Sequence, residues 1–130
     1  MRILSGIDIV EVSRIERSLS RHGDAFINKC FTEGETAYCD PLPQGRRTES
    51  FSARFAAKEA FGKAIGTGIM SEGIALTDVE IVREENGSPR LVLHGKALEA
   101  AEQIGVISMS VSLSHDGAYA VASCTLLTED

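Results

Sequence analysis

The segment Arg54-Phe55-Ala56-Ala57-Lys58-Glu59-Ala60-Phe61-Gly62-Lys63-Ala64-Ile65-Gly66-Thr67-Gly68 constrains the fold more than any other part of the chain. Plotted at ~100° per residue, Phe51, Ala53, Phe55, Ala57, Ala60, Phe61, Ala64 and Ile65 occupy nearly every side of a helix. A helix that is apolar nearly all round is buried, and each charge it carries then needs a partner, a metal or a ligand. Glu59 and Lys63, at i and i+4, project from one side and so face a single ligand together. The acid suits a divalent cation and the lysine a phosphate. Gly66-Thr67-Gly68, just beyond, leaves room for backbone to approach a phosphate closely. A helix C-terminus does not attract anions by its dipole, so a phosphate here relies on Lys63 and loop N–H groups. Taken alone, Glu before Lys at this spacing is also the favourable order for a solvated ion pair worth only ~0.2–0.5 kcal/mol.

A second acid lies in an unexpected place. Asp8 interrupts the apolar run Gly6-Ile7-Asp8-Ile9-Val10, where a buried, uncompensated carboxylate is costly. Either it faces solvent or caps the next helix, or it serves a site. If the fold brings Asp8 to Glu59, two acids and a lysine make an oxygen-ligand site for Mg²⁺, which commonly takes one or two carboxylates and completes its shell with water and substrate phosphate. Arg14, Arg17 and Arg21, at i, i+3 and i+7, share one narrow helical stripe, with Ile15 and Leu19 on another side. Such a stripe is either a solvated face or a docking surface for an acidic protein helix. Ser114-His115-Asp116 is no catalytic triad, because neighbours on a strand point to opposite faces, although His115 remains able to touch a ligand.

The pattern along the chain predicts an α+β fold, an antiparallel sheet packed on helices. Ile3 to Val10 reads as a strand. Ser13-Arg14-Ile15-Glu16 has capping-box spacing and opens a helix that ends at Gly23. Asp24 starts a short helix with Phe26, Ile27, Cys30 and Phe31 as its apolar side, and Thr32-Glu33-Gly34-Glu35 caps a third helix through Tyr38. Pro41 to Gly45 is a loop. The long helix spans Thr48 to Ile65, with Gly66 as its stop. Ile74 to Val82 and Arg90 to Leu93 form a hairpin about Asn86-Gly87. Lys96 to Ile104 is helical. Ser108 to Ser114 and Ala118 to Leu126 form a second hairpin about Asp116-Gly117. With 130 residues, no repeat and no linker, residues 1–130 read as one domain.

Composition closes off several classes. A net charge of −6 argues against nucleic acid as the main partner, since that binding rests on phosphate neutralisation. No apolar run is long enough for a membrane span, and the first acid, Asp8, comes too early for a signal peptide. Cys30, Cys39 and Cys124 are odd in number and lack CxxC spacing, so a reduced, cytoplasmic protein is expected, with the cysteines packed as small apolar side chains.

Three segments together resemble a known family: Gly6 to Ile15 at the start, Arg54 to Gly68 in the middle, and Val111-Ser112-Leu113-Ser114-His115-Asp116 near the end. In order, spacing and chain length they are similar to the holo-acyl-carrier-protein synthases, small 4′-phosphopantetheinyl transferases. The resemblance implies a 4′-phosphopantetheinyl transferase-like fold and transfer of the 4′-phosphopantetheine arm of coenzyme A to a serine of apo-acyl carrier protein. It also implies adenosine 3′,5′-bisphosphate as the other product and fatty acid biosynthesis as the setting. It assigns Asp8 and Glu59 to Mg²⁺, Lys63 to the transferred phosphate, and Arg54, Gly66, Thr67 and His115 to the neighbourhood of coenzyme A. It leaves the serine proton to Glu59 or to a metal-bound water that Glu59 orients. It assigns Arg14, with Arg17 and Arg21, to docking the carrier protein. It further implies a homotrimer with active sites shared between subunits, in which Asp8 and Glu59 serve different faces of one interface. Gly62, a poor helix former costing ~1 kcal/mol against alanine, departs from what a long helix favours and implies close packing or a loosened helix. The rival readings are a non-catalytic carrier-protein or nucleotide-binding module of the same fold, which has no need of all three of Asp8, Glu59 and Lys63, and a relative acting on synthase carrier domains, which is typically longer.

Overall fold

The computed structural model describes residues 1–69 and 73–129. Strand β1 (Arg2–Glu11) leads into helices α1 (Val12–His22), α2 (Asp24–Cys30), α3 (Glu33–Cys39) and α4 (Gln44–Ile65). A hairpin of β2 (Val79–Arg83) and β3 (Pro89–Leu93), helix α5 (Gly95–Gln103) and a long hairpin of β4 (Val106–Asp116) and β5 (Tyr119–Thr128) follow. The larger sheet has the order β1-β5-β4, antiparallel throughout, so the strand latest in the chain lies in the middle.

Helix α4 is enclosed as its composition demands. It packs on β1, β5 and β4 and is covered by α1, α3 and β2. Phe51, Ala56, Ala57, Ala60 and Phe61 have no exposed surface. The sheet face beneath it carries Val10, Ala120, Ala122, Cys124 and Leu126, all buried, at alternate positions. All three cysteines are free and buried. The opposite face is open: Ile3, Ile7 and Ile9 of β1 project outward beside Tyr119 of β5, with Ile7 and Ile9 each 63% exposed. Among the described residues no helix is long and apolar enough to cross a membrane.

Four local expectations are revised. Ser13 does not cap α1; the helix begins at Val12 after Glu11, with no side-chain cap, because β1 runs directly into it and Val12 N–H already donates to Ala118 O at 2.8 Å. Helix α4 begins at Gln44 rather than Thr48. Pro43 ends the loop in extended geometry as the N-cap, its carbonyl accepting from Arg47 N–H at 2.8 Å, so the helix starts with the next residue. The strand expected from Ile74 starts only at Val79. Before it the chain turns through a 3₁₀ segment, Leu76–Asp78, in which Asp78 Oδ2 accepts from Ala75 N–H at 3.1 Å. Strand β4 runs on through His115 to Asp116, past Ser114, its expected end. The Thr32–Glu35 capping box forms as read, with Glu35 N–H donating to Thr32 Oγ1 and Thr32 N–H to Glu35 Oε1.

Candidate active site

Asp8 sits on the α4-facing side of β1, opposite Ala122 in the sheet. Its approach to the helix depends on a missing side chain two residues earlier. A Cβ on Gly6 would lie 2.1 Å from Ala60 O and 2.6 Å from Ala64 N, so only glycine lets α4 settle this closely on β1. The result places Lys63 across the gap: its Nζ donates to Asp8 Oδ1 at 3.0 Å and to Ile7 O at 2.9 Å. Glu59 makes no ion pair with Lys63 despite the i, i+4 spacing. Its carboxylate is half-buried and has no hydrogen-bond partner among the described residues. Burial raises its pKa, Asp8's negative charge raises it further, and Lys63 only partly offsets both. Two acids thus share one exposed ammonium. Asp8 and Glu59 stand close enough within this chain for the charge of one to act on the other.

This donor set fits a hard cation. Among the described residues no group of three or more acids, histidines or cysteines gathers to form a complete cage. Two carboxylates beside open solvent, one of them lacking any donor, suit Mg²⁺, which keeps positions for water and substrate oxygens.

The glycine exit follows directly. Gly66 takes φ +94° as the α4 stop, and Gly66 N–H and Gly68 N–H both donate to Gly62 O, at 3.1 and 3.0 Å. Gly62 is explained here: a Cβ would meet Ile69 N at 2.8 Å, so the helix needs glycine for the exit to fold back on it. Thr67 Oγ1 donates to its neighbour Gly68 O at 3.3 Å.

Arg54 and His115 meet elsewhere, in an open cavity of about 440 Å³ lined also by Tyr38, Arg46, Glu49 and Arg83. Asp8, Glu59, Lys63, Gly66 and Thr67 do not line it. Arg54 is only 4% exposed. It donates to Ser50 Oγ at 2.7 Å and lies 4.6 Å from the centroid of the Tyr38 ring, but its Nε has no partner among the described residues. Arg83 lies 5.2 Å from the same ring. His115 Nδ1 approaches Glu49 Oε2 at 3.5 Å. Buried guanidinium without an acid calls for an anion. Tyr38, Arg46 and Arg83 were invisible to sequence spacing, being scattered over α3, α4 and β2.

Sequence reasoning also passed over Lys58, although the rule that flagged its neighbours applies to it. Lys58 has no exposed surface; its Nζ donates to Glu35 Oε1 at 2.7 Å, to Leu76 O at 3.0 Å and to Val79 O. Glu35 Oε2 accepts from Ile81 N–H at 2.9 Å. Burial lowers the Lys58 pKa, while the charge and hydrogen bond of Glu35 pull it back up. Arg14, Arg17 and Arg21 all stand exposed on α1, and no ion pair engages any of them among the described residues.

The model of the 4′-phosphopantetheinyl transferase superfamily matches residues 5–124, and the chain belongs to that superfamily. A holo-[acyl-carrier-protein] synthase of Koribacter versatilis is 48% identical over 122 residues, covering 94% of this chain and 95% of the relative. The ACPS–CoA complex of Chronobacterium ammoniagenes superposes with a TM-score of 0.88 at 32% identity, each chain fully covered. A holo-(acyl-carrier-protein) synthase of Bacillus anthracis, in complex with CoA (3′,5′-ADP), gives 0.77 at 36% identity over 95% of this chain and 94% of that one. Within the superfamily the chain falls among the holo-[acyl-carrier-protein] synthases, which makes it an enzyme.

Proposed function

We propose that this chain, acting as one domain over residues 1–130, transfers 4′-phosphopantetheine from coenzyme A to a serine hydroxyl of apo-acyl carrier protein. Asp8 and Glu59 hold Mg²⁺, adenosine 3′,5′-bisphosphate leaves, and the product serves fatty acid biosynthesis in the cytoplasm. One observation carries the reading: a strand acid, a helix acid and a helix lysine converge beside the close approach of β1 and α4 that Gly6 permits.

Phosphoryl transfer asks a protein mainly for positioning and charge neutralisation. The serine oxygen bonds to the phosphorus bearing the pantetheine arm, and the bond from that phosphorus to the oxygen of the nucleotide breaks. Bound magnesium supplies positive charge against the reacting phosphate and the leaving group. Lys63, exposed, brings an ammonium to the same phosphate. Glu59 has free lone pairs and a raised pKa, which favour it over Asp8 as acceptor of the serine proton. Arg54, which no acid pairs among the described residues and whose Nε lacks a partner, supports with Arg46, Arg83 and His115 the binding of the anionic nucleotide end of coenzyme A in the cavity beside Tyr38. Gly66 and Thr67 give that molecule room near Lys63.

The free arginines of α1 support docking of an acidic helix of the carrier protein. The bare apolar face of the larger sheet supports a homotrimer in which copies of this chain cover Ile7 and Ile9. In that assembly coenzyme A reaches from the arginine cavity of one copy to the acid pair of another. The cavity's exclusion of Asp8, Glu59 and Lys63 agrees with such sharing.

The test is direct: incubate the protein with coenzyme A, Mg²⁺ and apo-acyl carrier protein, and weigh the carrier by intact mass spectrometry. A carrier gaining one phosphopantetheine supports the proposal; no gain with any divalent metal overturns it.

A further inference from the structure

We infer that Lys63 is an exchangeable counterion of the acid pair: it holds Asp8 Oδ1 until a divalent cation takes that oxygen, and its release toward the substrate phosphate couples metal binding to coenzyme A binding. The inference rests on the reading of Asp8 and Glu59 as the metal's carboxylates.

Three features lead to it. The first is a choice of partner. Glu59 is the acid one helical turn away, yet Lys63 reaches across to β1 and takes Asp8. The ammonium therefore hydrogen-bonds one acid and leaves the other without a hydrogen-bond partner among the described residues. The second is asymmetry of exposure. The Lys63 side chain is 56% exposed and that of Asp8 only 18%, so the lysine is a half-solvated arm over a fixed acid, and such pairs exchange readily. The third is the second anchor. Ile7 O also accepts from Lys63 Nζ, so the ammonium keeps a neutral partner when it lets go of the carboxylate.

A divalent cation on Asp8 Oδ1 repels the neighbouring ammonium, whereas a phosphate oxygen attracts it. Lys63 therefore competes with a metal when coenzyme A is absent. When phosphate is present it turns toward the new anion and frees the carboxylate. Coenzyme A then strengthens metal binding and, by linkage, metal strengthens coenzyme A binding by the same factor.

The experiment titrates Mg²⁺, and Mn²⁺ by electron paramagnetic resonance, into the wild type, Lys63→Met, Lys63→Gln, Asp8→Asn and Glu59→Gln, each with and without saturating coenzyme A. Folding of each variant is checked by thermal unfolding. Without coenzyme A, Lys63→Met and Lys63→Gln are expected to bind metal roughly tenfold more tightly than the wild type, since a dication no longer contends with a nearby ammonium. The ratio of metal affinities with and without coenzyme A should shrink by a similar factor. Because Lys63→Gln keeps a donor for Ile7 O, it answers for any loss of structure in Lys63→Met. If both lysine variants bind metal no more tightly than the wild type while the two acid variants bind it less, the exchange is wrong and the metal site stands. If neither acid variant weakens metal binding, the acid pair does not hold the metal and both readings fall.

Discussion

Glu59 sits in an environment hostile to its own charge, and that can be measured without any substrate. Its native pKa is raised by burial and by Asp8, so from the ordinary carboxylate value of 4.5 up to its native value the folded state binds more protons than the unfolded one. Stability attributable to Glu59 is therefore present at low pH and lost as pH rises through the native pKa. Glu59→Gln should raise the melting temperature by a few degrees at pH 7.5, with about 4 °C for each kcal/mol gained, and the advantage should vanish below about pH 4 as the wild-type acid protonates. The same variant should lose turnover by roughly a thousandfold or more, given how much preorganised charge contributes to catalysis; near-normal phosphopantetheine transfer would remove Glu59 from the chemistry. This residue was legible in the sequence because i, i+4 spacing and an all-round apolar helix are local facts. Lys58 falls under the same rule and was passed over; what sequence does not reveal is its partner Glu35, 23 residues away, where no short-range pattern connects them.

At the level of elements, two devices fix α4, one from each side. Below it, Gly6 lets β1 approach, and Gly6→Ala would drive a methyl into Ala60 O. Overpacking of that kind costs about 1–3 kcal/mol, and the helix shift should also part Lys63 from Asp8. Chemical denaturation combined with the metal titration checks both effects; a variant with native stability would mean the contact is slack. Above it, the Lys58–Glu35 pair ties α4 to α3 and to the segment entering β2. Lys58→Met leaves a buried carboxylate without its counterion and should destabilise by about 3–5 kcal/mol, whereas Glu35→Leu with Lys58→Met should recover much of that loss. If the double variant is as unstable as the single one, the pair is not the reason. Elements governed by local chemistry, such as the Thr32 cap, the Gly66 stop and the Asn86-Gly87 turn, were readable from sequence. The start of α1, the early start of α4 and the late start of β2 depended on how neighbouring strands and turns met, which spacing does not encode.

For the molecule as a whole, the arginine face of α1 and the bare face of the sheet point in different functional directions. Arg14→Glu should raise the KM for carrier protein roughly tenfold, equivalent to ~1.4 kcal/mol, and leave that for coenzyme A nearly unchanged. Equal effects on both would mean that α1 does not dock the carrier. Ile7→Lys should give a folded monomer by light scattering and, with the shared site broken, little activity; a trimer that survives the substitution would place the interface elsewhere. The fold class was readable because alternation and helical periodicity were both strong. The strand order was not, since nothing local says that the strand latest in the chain lies between the other two. That placement has a consequence for the protein's birth. Because β5 is the centre of the sheet, β1 and β4 have no neighbour to pair with until Tyr119–Thr128 has been synthesised. The larger sheet therefore stays unpaired while every earlier element is made, and losing a short stretch of β5 would be as damaging as losing a helix.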